Sequence, residues 1–265
     1  MRRVVWSVCL LAVLAGCGSP MAGNKLPPGP GLQAQALGAD GGLTDKRAAR
    51  EEQPAEVLAT LTVLGEEYVA LAASEKVIKV SPQTKKDRWT REQLLAMPGG
   101  MNRMLEQLPQ TKSLSGTLTL KKALSLSELE AFLSGYGLQV ESFQLRRFEK
   151  TKEGSYERLT YMASPRNGVL VSDELRELEE APHYVGVISL IGSADKDDWL
   201  RLSRDTHVFS ADLSSARLKE ELGKNPRIRE LLDQGGRLDI QVPNLYWELE
   251  DAGIVQYEDS SLMSR

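Results

Sequence analysis

The chain has two cysteines, Cys9 and Cys17, and none after position 17. Whatever folds beyond that point does so without a disulfide, a thiolate nucleophile or a cysteine-ligated metal. Its stability has to come from an apolar core, and a chain of 265 residues is long enough to bury one.

That core cannot begin early. About half of residues 18–54 are Gly, Pro or Ala, with "LPPGPG" and "GADGG" among them. The segment has no apolar period and too little hydrophobic surface to order itself, so it reads as a tether. As a random coil it would reach roughly 35 Å. The chain therefore divides into a leader (1–16), a tether starting at Cys17 (17–54) and one folded body (55–265). Within the body, 115–214 carries a βαβ pattern and 215–265 reads as a helical extension.

The leader has Arg2 and Arg3, then the apolar run from Val4 to Leu14, then Ala15 and Gly16. That is the pattern of a secretory signal, and the run is too short to span a bilayer comfortably. Leu14-Ala15-Gly16-Cys17 resembles the lipobox of bacterial lipoproteins. The resemblance implies cleavage before Cys17, a diacylglyceryl group on its sulfur, and acylation of its new N-terminus in many such proteins. Gly18 after the cysteine, rather than Asp, favours the outer membrane in a two-membrane cell. In a one-membrane cell the anchor stays on the outer leaflet of the cytoplasmic membrane. Two or more acyl chains anchor stably where one does not.

The net charge of −4 comes from interspersed charges of both signs. No basic footprint for nucleic acid exists, and a weakly acidic body has no electrostatic pull toward an anionic membrane. The expected partners are a membrane through the lipid, and an envelope protein.

In the body, 56–81 reads as helix. "WTREQLLAM" (89–97) is a helix capped by Thr90 and ended by Pro98-Gly99-Gly100, with a second helix over 101–108. Met97, Met101 and Met104 read as core filler. Leu118 and Leu120 alternate with polar neighbours in a strand over 116–124. The helix 125–137 has Ser127 and Glu130 as a capping box. Strands follow at 139–149, with Phe143 and Leu145 on one face, and at 156–164, joined by a polar turn. A helix at 172–180, a buried strand at 184–192, a helix at 195–204 and a strand at 206–214 complete the pattern. Helices at "SSARLKEELG" and Pro226 to Gln234, a strand-like "RLDIQV" and a terminal helix in 243–253 come last.

This order predicts an α+β fold. The expectation is a ferredoxin-like split βαβ sheet, or a related βαβ-repeat sheet, with helices on one face and flanking helical segments. Residues 116–148 and 184–212 are two strand–helix–strand units of similar length. The stretch around "KALSLSELEAFLSGYGLQV" is similar to extracytoplasmic α+β modules of some bacterial envelope and anti-sigma-type proteins.

Catalytic signatures are sparse. His183 and His207 lie in no close ligand spacing and read as structural. "ADKDDW" (194–199) starts like a calcium loop but lacks its Gly and closing Glu, so its acids read as a helix N-terminus. Ser193 and Lys196 fit Ser-x-x-Lys without the motifs that accompany it in penicillin-interacting enzymes. No catalytic residue, metal or cofactor is expected. Tyr246 and Trp247 adjoin in a chain that is only 6% aromatic. They are the candidate binding residues, and the competing reading docks a terminal helix onto the core. The sequence thus points to a lipid-anchored envelope protein with a non-enzymatic binding or assembly domain. The rival readings are a hydrolase with two facing carboxylates and an extracytoplasmic sensor.

Overall fold

The computed structural model describes residues 33–35, 56–74, 76–83, 89–110, 113–166, 169–255 and 257. The expected signal segment, Cys17 and most of the expected tether lie outside them. The architecture is α+β, built on two sheets.

The smaller sheet begins with three strands where the sequence reading expects a helix: β2 (Glu56–Val63), β3 (Glu66–Ser74) and β4 (Val77–Pro82). They follow β1 (Gln33–Gln35), which belongs to the larger sheet. Glu66 to Ala73 has helix-forming composition, but the β-branched Thr60, Thr62 and Val63 precede it. Between them Leu64 and Gly65 both take positive φ, 54° and 85°. That is the backbone of a type I′ hairpin turn. Leucine is costly there, roughly 1–2 kcal/mol. Its side chain lies against the helix residue Gly100, where a Cβ would meet Leu64 Cδ2 in ordinary van der Waals contact at 3.6 Å.

Helix α1 (Arg91–Gln107) continues through Pro98-Gly99-Gly100, where a break was expected. Pro98 has no N–H for the Leu94 carbonyl, a loss of about 3 kcal/mol. Burial of Leu94, Met101, Met104 and Leu105 along one stripe offsets it. Thr90 caps the helix as expected, in a reciprocal capping box with Gln93. At the far end the Lys196 ammonium donates to the Glu106 and Leu108 carbonyls at 2.8 and 2.5 Å. It satisfies orphan carbonyls that α1 has no basic residue of its own to meet.

The larger sheet comes from β5 (Leu114–Leu124), β6 (Gln139–Lys150), β7 (Tyr156–Ala163), β8 (Tyr184–Ala194) and β9 (Val208–Asp212). Helices α2 (Leu126–Leu133), α3 (Asp173–Glu179) and α4 (Lys196–Leu202) connect them. The strand order is β1-β7-β6-β8-β5-β9, with every neighbouring pair antiparallel. It follows that β5 and β6 are parallel to each other with β8 between them. Likewise β8 and β9 are parallel with β5 between them. The interleaved units are β5-α2-β6 and β8-α4-β9, and β7 is added outside β6. Residues 33–35, expected to be plain tether, pair along β7.

The capping box of α2 is Ser125 with Glu128, two residues earlier than the sequence reading places it. Leu126, at the first helical position, is fully buried, and that fixes the start.

The tail of the chain returns to the first sheet. Helices α5 (Ser214–Leu222) and α6 (Pro226–Asp233) lead to β10 (Arg237–Ile240), which pairs parallel with β4. Residues 215–265 are therefore not purely helical. Helix α7 (Leu245–Asp251) then crosses to the larger sheet.

Alternation along β6 defines the two faces of that sheet. Phe143 and Leu145 join the main core with Leu118, Leu129 and Trp199. Gln144, Arg146 and Phe148 point the other way. On that side Leu245, Tyr246 and Leu249 of α7 pack with Ile188, Leu94 and Met101 in a second cluster. Helices thus cover both faces, where one was expected. The extra cover is α7 together with Leu94 and Met101 of α1.

Candidate functional site

Under α7 lies a charge cluster whose central ion pair has no solvent contact. It begins with Asn244, whose Oδ1 accepts the Tyr246 N–H at 3.1 Å and caps the helix. Its Nδ2 donates to Gln144 Oε1 at 2.7 Å, and Ser189 Oγ donates to the same oxygen at 3.0 Å. One turn further the helix brings Glu250 onto Arg146. Both side chains are fully buried. The guanidinium donates through Nε and Nη2 to the two carboxylate oxygens at 2.9 and 2.8 Å. Its Nη1 donates to Thr160 Oγ1 at 2.6 Å.

Arg158 completes the cluster, with Nη1 at 3.2 Å from Glu250 and Nη2 at 2.8 Å from Asp251. The Tyr257 hydroxyl also donates to Glu250. Burial pushes the Glu250 carboxyl up, and Arg146, Tyr257 and Arg158 pull it partly back. Burial pushes the Tyr246 phenol up to about 12. A carboxylate with both oxygens engaged and no solvent contact is not placed to take a proton from a substrate. It joins a helix to a sheet.

The two candidate binding residues fall inside this cluster with different exposures. Tyr246 is fully buried, so a partner would not meet it. Trp247 is half-buried, with its ring centroid 4.3 Å from the guanidinium carbons of both Arg146 and Arg158. Such contacts are attractive cation–π pairs. The sequence reading names neither arginine. In "FQLRRFE" the alternation puts Arg146 opposite Phe143 and Leu145, on a face that a one-sided sheet leaves to solvent. The only sequence signal for the cluster is an acid pair, Glu250-Asp251, at the end of the terminal helix.

The other candidates are dispersed. Exposed His183 has φ of 59° and meets the Tyr156 ring edge-on at 5.0 Å. His207 precedes β9 rather than lying within it, and its Nδ1 is 2.9 Å from Asp205. Of the acids of "ADKDDW", Asp195 caps α4 and Asp198 ties α4 to the loop after α2. Asp195 accepts the Asp198 N–H at 2.8 Å, and Asp198 accepts the Gly137 N–H at 3.0 Å. Ser193 donates to Glu141 while Lys196 serves the end of α1, so they form no nucleophile–base pair. Among the described residues no group of three His, Cys, Asp or Glu is placed to hold a metal.

Among the described residues, one surface groove of about 330 Å³ is lined by Glu56, Leu58, Ser74, Arg227, Glu230 and Leu231. The second, about 280 Å³, lies beside α3 and includes Ser164, Arg166, Asp173 and Glu174. In the first, Arg227 grips Glu56 bidentately at 2.5 and 2.7 Å.

A second buried carboxyl, Asp212, ends β9. Its Oδ1 accepts the Ser214 N–H at 2.8 Å. Burial pushes its pKa up against the pull of the Ser214 hydroxyl and N–H. The folded state therefore holds this proton at pH values where the unfolded chain has released it. Its contribution to stability is complete below the ordinary aspartate range and is lost as pH rises through the folded pKa. Asp212→Asn keeps an acceptor for Ser214 and removes the charge. It is expected to raise stability at pH 7 relative to wild type, with a smaller gain at pH 4. Urea unfolding at both values checks this, and an equal effect at both would refute it.

Comparison of the chain with protein-family models, with curated proteins and with solved structures returned no match.

Proposed function

We propose that this protein is a bacterial envelope lipoprotein, anchored through Cys17, whose α+β body works by binding or assembly rather than by catalysis. One observation carries the non-catalytic half of that reading. The buried charge cluster Arg146–Glu250–Arg158–Asp251 locks a helix to a sheet instead of lining a cleft. The anchor rests on the Leu14-Ala15-Gly16-Cys17 motif and the short apolar run before it. Among the described residues no helix is long and apolar enough to cross a membrane.

We also read the order β9-β5-β8-β6 as a ferredoxin-like core, with β7 and α3 inserted between its second and third strands. The order of two interleaved split βαβ units supports that reading. The hydrolase alternative has one supporting feature, the pair Glu56 and Glu230 in the groove beside Arg227. Its weakness is that Glu56 is already tied to Arg227.

The anchor has a direct test. Cys17→Ser is expected to move the protein from the membrane to the soluble fraction and to abolish a lipid adduct at residue 17. Membrane retention of the variant, with no lipid mass in the wild type, would overturn it. Release of sugar or peptide fragments from purified cell wall, abolished by Glu230→Gln, would favour the hydrolase.

A further inference from the structure

The end of the chain is attached differently from the rest of the core. Its contact with the sheet combines an apolar half, where Leu245, Tyr246 and Leu249 meet Leu94, Met101 and Ile188, with a polar half. The polar half is Asn244 on Gln144, Glu250 on Arg146 and Arg158, and Asp251 on Arg158. A buried ion pair is close to break-even against solvation of its members. When the segment lifts, both partners regain water, so opening costs less than opening an all-apolar joint of the same size.

The link before it is short and extended. Gln241 still bonds to Val80 at 2.9 Å, and only Val242, Pro243 and Asn244 separate that anchor from α7. Release of α7 therefore needs rotation at these few positions and no rupture of the second sheet. The sheet face left behind would present Gln144, Arg146, Thr160 and Arg158 beside an apolar step. That chemistry takes an acidic helical segment with an aromatic residue stacked on the guanidiniums.

We infer that this face is a docking site for residues 244–257 of a second copy of the chain, filled by the chain's own segment in the monomer. The occupant is a second copy because the ligand that fits the face is already known: it is the same sequence. Exchange between two copies keeps every contact of the closed form and is a low-cost route to a dimer. This gives the binding or assembly function, on which the inference rests, a specific partner: the protein itself. The dimer is reciprocal, each body receiving the α7 of the other. On a membrane, lipid anchoring would raise the local concentration and favour exchange over self-closure.

Charge reversal separates exchange from self-closure. The full chain carrying R146E has two like charges under α7, and so does the chain carrying E250R. Each alone is expected to remain monomeric, with raised amide exchange in 244–257. Mixed in equal amounts, each face meets a complementary segment only in trans. The mixture is expected to run at twice the monomer mass in light scattering and to regain protection in 244–257. A mixture that stays monomeric, with both variants folded by circular dichroism, overturns the inference.

Should either variant fail to fold, the wild-type chain supplies the test. Concentrated under mildly destabilising urea and then diluted into buffer, it is expected to yield a dimer fraction. A synthetic peptide of residues 241–257 should suppress that fraction, and the same peptide with E250K and D251K should not. Absence of a dimer, or equal suppression by both peptides, overturns the inference. These readouts use purified protein and are independent of the Cys17 fractionation, so either claim can fail without the other.

Discussion

Arg146→Ala is expected to destabilise the protein by about 3–5 kcal/mol, more than a surface charge could account for. The substitution leaves Glu250 buried, with Arg158 as its remaining cation and Tyr257 as a donor. It also opens a hole between β6 and α7, where both original side chains had no solvent contact. Most of the loss comes from the stranded charge rather than from the missing attraction. A double replacement, Arg146→Met with Glu250→Leu, should therefore recover most of it, because it removes both charges and fills the space. Urea unfolding of the wild type, Arg146→Met, Glu250→Leu and the double variant gives the coupling energy directly. A double variant as unstable as the sum of the singles would show that the pair is not the source of the effect.

Trp199→Ala is the second large effect, expected at about 3–5 kcal/mol. Trp199 is fully buried at the centre of the main core, and its indole N–H donates to the Leu114 carbonyl at 2.8 Å. The ring lies over Gly116, close enough that a Cβ there would sit 3.1 Å from it. Truncation would leave a cavity between α4 and β5 and an unpaired carbonyl at the start of β5. Trp199→Phe keeps most of the volume and loses the hydrogen bond, so its cost should be smaller, near 1–3 kcal/mol. Thermal and urea unfolding with m-values unchanged would confirm a stability effect. Equal costs for Ala and Phe would mean that the hydrogen bond, not the volume, dominates.

The elements that were legible in the sequence are those whose local pattern agrees with their burial. The helix beginning at Leu126 and the strand carrying Phe143 and Leu145 are of this kind. Local and tertiary preferences conflict elsewhere. Glu66 to Ala73 has the composition of a helix, yet the Leu64-Gly65 turn and the burial of Tyr68, Val69 and Ala70 make it a strand. Pro98-Gly99-Gly100 has the composition of a helix stop, yet apolar residues on both sides carry the helix across. The charge cluster was hidden for a different reason. Arg146 and Glu250 are 104 positions apart, and a polar residue on one face of a strand reads as exposed until something covers that face. Tyr246 and Trp247 drew notice because they are rare and adjacent, but their difference in burial depends on how α7 is rotated against the sheet.

The parallel pairing of β10 with β4 has a temporal consequence. A chain that emerges N-terminus first, from the ribosome or across a membrane, makes Val77–Pro82 long before Arg237–Ile240 exists. One flank of β4 must wait through the synthesis of the whole larger sheet before it is closed. Contacts of such large sequence separation form slowly and leave an open strand edge in the meantime. During that interval the first sheet is a three-stranded meander with an unprotected rim. β10 closes that rim only after the larger sheet has been made, and α7, made later still, covers Arg146.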